Sequence, residues 1–86
     1  MLQKLVAQRE RNRLVAGRLL LKRKYPCSWQ VLAREHSIGF SKISEIAKRL
    51  LSKDEDEFKN QAIQAARNFY ASRAQDNAQF AGIIIT

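Results

Sequence analysis

Residues 28–51, SWQVLAREHSIGFSKISEIAKRLL, decide how this chain is read. Two apolar patterns of helical spacing meet there across a four-residue break, Leu32 and Ala33 on one side, Ile43, Ile46 and Ala47 on the other, with Ile38 between them. Recurrence at three and four residues places each set on one face of a helix. The stretch therefore predicts two short helices that share one core, with Ile38 plugging the turn. Ser28 supplies an oxygen for the first exposed backbone N–H groups, so it is the expected N-cap. Trp29 follows where its ring can close the core over that helix start.

Working outward, the first helix is expected from about Leu2 to Lys24, with Leu2, Leu5 and Val6 at one end and Leu14, Val15, Leu19, Leu20 and Leu21 at the other. The polar block from Gln8 to Arg13 lies between them, so burial should concentrate in the later half. Gly17 weakens that helix by about 1 kcal/mol relative to alanine. Tyr25-Pro26 ends it, because proline disfavours helical geometry in the residue before it. On the C-terminal side, Ser52 or Asp54 can cap a last helix whose first turn carries Glu55, Asp56 and Glu57 near the positive end of the helix dipole. Phe58, Ala62, Ile63, Ala65, Ala66, Phe69, Tyr70 and Ala74 then give it an alanine-rich apolar face, able to complete a monomer core or to form a dimer seam. The apolar run from Phe80 to Ile85 is expected to dock, either on this face or on a second copy. The expected fold is all-α, a small bundle of three to four helices in a single domain spanning residues 1–86.

Charge divides the chain. Sixteen Lys and Arg against eight Asp and Glu give 86 residues a formal net charge of +8, the footprint of a polyanion's partner. Twelve bases and three acids fall in residues 1–51, so that part carries +9, whereas residues 52–86 carry −1. The basic part is expected to face nucleic acid and the remainder to serve packing or self-association.

A helix pair of this kind on a basic chain resembles the helix-turn-helix superfamily of DNA-binding domains, in which the first helix braces and the second enters the major groove. The resemblance covers about a quarter of the chain. It implies that Ser41, Lys42, Ser44, Glu45 and Lys48 face the groove while Arg34 and the cluster Lys22, Arg23 and Lys24 clamp phosphates. Arg9, Arg11, Arg13 and Arg49 are further phosphate candidates. Families of this type often place a glycine at the left-handed position of the turn; here that position is Ser37, and Gly39 lies two residues later. A non-glycine residue there meets a steric cost, which predicts a turn longer than usual or differently shaped.

Other constellations read blandly. His36 beside Glu35 is expected to be a cap or surface residue rather than an acid-base pair. Cys27 is read as a small buried hydrophobe. One cysteine excludes an internal disulfide, and with a single histidine nearby a tetrahedral metal site is not expected. No phosphate loop, nucleophile motif or carboxylate pair set with the histidine suggests catalysis. No enzyme activity and no cofactor are expected, and no apolar run is long enough to span a membrane.

Three functions compete at this level. The chain reads first as a DNA-binding regulator or accessory factor, cytoplasmic or nucleoid-associated and acting as a homodimer through its last helix and tail, with DNA favoured over RNA. It reads second as a ribosomal or other RNA-associated structural protein, and third as a helical subunit of a larger protein assembly. The first 24 residues, basic and poor in acids, also have the composition of an organelle-targeting segment, with the organelle matrix as the corresponding location. They are read as a structural first helix.

Overall fold

Four α-helices account for the fold: α1 (Leu2–Leu20), α2 (Trp29–His36), α3 (Phe40–Leu50) and α4 (Asp56–Ile85). The structure, a computed structural model, describes the backbone of residues 2–85 and the side chains of residues 4–74. Among the described residues there is no strand, and the molecule is the small all-α bundle that the sequence predicts.

α1 stops four residues earlier than expected. Beyond Leu20 the chain tightens into a turn in which the Lys24 and Tyr25 N–H groups both donate to the Leu21 carbonyl, at 3.1 and 2.9 Å. Pro26 lies behind this, since it excludes helical geometry at Tyr25 and the chain must unwind before reaching it. Burial does concentrate late in α1, where Val15, Ala16, Gly17 and Arg18 are all buried and residues 4–10 are exposed.

Ser28 caps α2 as expected, its Oγ accepting from the Val31 N–H at 3.2 Å. Trp29 does not close the core. It is 36% exposed at the first position of α2, and Leu32, almost one turn later, takes the core position and is fully buried. α2 ends at Ser37, which adopts φ 55°, ψ 48°. The turn to α3 is three residues long, 37–39, and so neither lengthened nor of unusual shape. Serine accepts the left-handed conformation because the Ser37 and Ile38 N–H groups both reach the Ala33 carbonyl, the latter at 3.1 Å, and Ile38 packs on the core. Those bonds satisfy α2's end and offset the steric cost of about 1 kcal/mol.

α3 buries Ile43 and Ile46 and carries Lys48 and Arg49 in its last turn, where cations complement the dipole. α4 begins at Asp56, later than the predicted caps, with the Lys59 N–H donating to the Glu55 carbonyl at 2.9 Å. The Ser52 Oγ accepts instead from the Asp54 N–H within the connecting turn. α4 runs without interruption to Ile85, so residues 80–85 continue the helix. The expected docking of the Phe80 and Ile83 to Ile85 side chains lies outside the described residues.

α4 lies along α1 and runs parallel to it. Arg9, Asn12 and Arg13 neighbour Glu57, Phe58 and Gln61; Gly17 meets Ala62 and Ala66; Leu21 and Tyr25 meet Tyr70 and Ala74. A Cβ at Gly17 would fall 1.9 Å from the Ala62 carbonyl oxygen and 2.7 Å from the Ala66 Cβ, so only glycine permits this approach. The alanine face thus completes the monomer's own core over this length, with Val15, Ala16, Leu32, Ile43 and Ile46. No helix among the described residues is long and apolar enough to cross a membrane.

Candidate nucleic-acid interface and a buried arginine network

The two faces of α3 differ sharply. Ile43, Ile46 and Leu50 turn inward. At 100° per residue the opposite side of the helix carries Ser41, Ser44, Glu45 and Lys48. Ser41, Glu45 and Lys48 are exposed and Ser44 is half-buried. Lys42 sits on the shoulder of this face and pairs with Glu45 across one turn, Nζ to Oε2 at 3.6 Å. Both partners are solvated, so the pair contributes at most about 1 kcal/mol and leaves either group able to exchange partners. Gly39, the N-cap of α3, makes no side-chain cap hydrogen bond, so the first N–H groups of α3 lack that partner.

The remaining cations do not form one patch. Arg49 is already engaged, its guanidinium pairing with Glu55 at 3.2 Å and lying 3.8 Å over the Phe58 ring. Together with Arg9 and Arg13 it borders an open cleft of about 470 Å³ that Asp54, Glu55 and Glu57 also line, so positive charge is locally offset there. Arg11 and Arg13 are half-buried, and their Nε atoms find no partner among the described residues. Lys22, Arg23 and Lys24 are exposed in the turn after α1, with Lys24 beside Arg67 and Tyr70 of α4. Between Glu57 and Tyr70 α4 rises about 20 Å, so these two basic groups lie near separate points along the bundle. Arg34 is exposed on α2.

One cluster corrects the sequence-based expectation: His36, expected as a cap or surface residue, is half-buried beside Arg18, whose burial the sequence did not announce. Arg18 is 2% exposed, the single buried charge among the described residues. Its Nε donates to the Tyr70 hydroxyl at 3.0 Å, its Nη1 to Glu35 Oε2 at 2.5 Å, and the same Nη1 lies 3.0 Å from His36 Nε2. The guanidinium also sits over the Phe69 and Tyr70 rings, at 5.0 and 5.6 Å, while Tyr25 stacks on Tyr70 at 4.0 Å. Arg73 completes the group by pairing with Glu35 at 3.2 Å. The network thus ties α1, α2 and α4 together through groups that each find a partner.

The charges follow from these contacts. Burial opposes ionisation of Arg18, but hydrogen bonds to Tyr70 and Glu35 outweigh it and hold the guanidinium charged. The hydrogen bond from Arg18, which outweighs the opposing effect of burial, together with a weaker one from Arg73 draws the Glu35 carboxyl below its ordinary value. Burial, then the nearby positive charge of Arg18, lowers His36. Cys27, expected to be buried, packs against the core but is only half-buried, and among the described residues no group of three or more His, Cys, Asp or Glu side chains is placed to hold a metal ion. Compared with protein-family models, curated proteins and solved structures, the chain matches none.

Proposed function

We propose that the chain is a small non-enzymatic DNA-binding protein that reads duplex through α3. The observation that carries this is the α2–turn–α3 unit: an eight-residue helix, a three-residue turn through left-handed Ser37, and an eleven-residue helix that buries one face and offers Ser41, Ser44, Glu45 and Lys48 on the other. A helix so supported fits the major groove, where Glu45 can accept from cytosine and Lys48 can donate to guanine. Lys22, Arg23, Lys24 and Arg34, exposed and without an acidic partner among the described residues, suit phosphates. Pairing of two copies on a two-fold site would double the contact, which favours a homodimer at work in the cytoplasm or on the nucleoid.

Titration of the purified chain against random duplex DNA, one structured RNA and a selected duplex, each at two salt concentrations, tests the proposal. Duplex binding with a sequence preference that survives higher salt supports it. Preference for the structured RNA, or no binding to either, overturns it in favour of an RNA-associated or protein-assembly role.

A further inference from the structure

We propose that His36 is a proton-operated latch at the joint between α2 and α3: neutral, it fastens the end of α2 to Arg18 of α1; protonated, it gives up that bond and loosens the turn that presents α3, while Glu35 still holds α2 to Arg18. The geometry fixes the neutral state. Arg18 Nη1 lies 3.0 Å from His36 Nε2, and a guanidinium has donors only, so Nε2 must be the acceptor and the ring proton must sit on Nδ1. Nη1 has two hydrogens, and the second goes to Glu35. Arg18 cannot easily turn to suit a protonated ring, because Tyr70 holds its Nε and the Phe69 and Tyr70 rings flank it.

Protonation would remove that bond and set a cation among cations. Arg18 and Arg11 face His36 from α1 and Arg73 from α4, against the one carboxylate of Glu35 on α2, which Arg18 and Arg73 already share. The Phe69 ring, 6.2 Å away on α4, offers no compensating charge. His36 is also the last residue of α2, next to Ser37, the non-glycine residue held at positive φ. A displaced ring therefore pulls on the turn that sets the direction of α3. Burial and the surrounding arginines keep His36 below its ordinary value of 6.5. Because the folded value lies below the unfolded one, this contribution is complete above about pH 6.5 and is lost as pH falls through the folded value.

The test uses the full chain. His36 is its only histidine, so the imidazole resonances can be followed directly. An NMR titration should show a midpoint below 6.5, accompanied by shifts of the Ser37 and Ile38 amides. As the pH is lowered from about 7.5 to about 5.5, across the ordinary histidine range, the native chain should lose both thermal midpoint and duplex affinity, the latter by several-fold. In His36→Gln, whose amide oxygen accepts from Arg18 without titrating, both quantities should lose the part of the pH dependence due to His36. A midpoint at or above 6.5, amides that ignore the titration, or an equal pH response in His36→Gln overturns the latch. The affinity measurement alone rests on the DNA reading. If duplex is not bound at any pH while Ser37 still follows His36, that reading fails and the latch stands.

Discussion

Ser37 shows how a single backbone angle sets the geometry of the candidate site. Its φ of 55° is the only positive value among the non-glycine residues described, and glycine would adopt it without the Cβ penalty. Ser37→Gly should therefore stabilise the fold by about 0.5–1 kcal/mol, part of the relief being spent on the freer unfolded chain. Ser37→Val should do the reverse, both being read from the urea midpoint at constant slope. The same position was legible in the sequence as the place where the turn needs special geometry, whereas the turn's length was not, since two backbone bonds to Ala33 and the burial of Ile38 decide it. Arg18 was illegible for a different reason. Counting charge treats every arginine as surface, yet Arg18 stands three residues after Val15 and three before Leu21, on the apolar face of α1. That spacing was the signal to follow. Arg18→Met should lower stability in chemical denaturation by about 1–3 kcal/mol, because it takes a hydrogen-bond partner from Tyr70 and His36 while Glu35, which is exposed, keeps its solvation. The Glu35 carboxyl, keeping only Arg73, should titrate closer to its ordinary value in the variant.

Among elements, the parallel α1–α4 pair depends most on one small residue. Helix propensity alone recommends Gly17→Ala, a gain of about 1 kcal/mol. The structure predicts the opposite sign, since the new Cβ would meet a backbone carbonyl at 1.9 Å, and backbone cannot step aside as a flexible side chain can. We expect a net loss of about 2 kcal/mol or more from overpacking, measured as a lowered thermal midpoint with unchanged helix content in the far ultraviolet. The alanine spacing of α4 announced a close approach, and Ala62 and Ala66 make it. The sequence could not reveal the partner, because propensity is a local property and the approach is tertiary. Likewise Leu19, Leu20 and Leu21 read as one continuing helix, whereas the unwinding that Pro26 demands already begins at Leu21.

Over the whole molecule, the split of +9 and −1 between residues 1–51 and 52–86 was plain in the sequence, but which cations are free to meet a polyanion depends on how the chain folds. Arg49 gives its guanidinium to Glu55 and Phe58, and Arg9 and Arg13 border the cleft that holds three acids. Lys22, Arg23 and Lys24 face solvent. Three classes of variant should then behave differently on duplex DNA. Lys22→Ala with Lys24→Ala should weaken all sequences alike and reduce the salt slope by about one for each phosphate left without its cation. Arg49→Ala should leave the salt slope nearly unchanged and act instead on stability, by less than about 1 kcal/mol for the exposed pair. Glu45→Ala and Lys48→Ala, on the outward face of α3, should flatten the difference between a preferred and a random site by about 1–3 kcal/mol each while the salt slope changes little at Glu45. Lys42→Ala belongs to the same class through its pairing with Glu45, since freeing that carboxylate changes what it can accept. Competition titrations at two salt concentrations separate the three classes, and discrimination that survives Glu45→Ala, Lys48→Ala and Lys42→Ala would remove α3 as the reading helix.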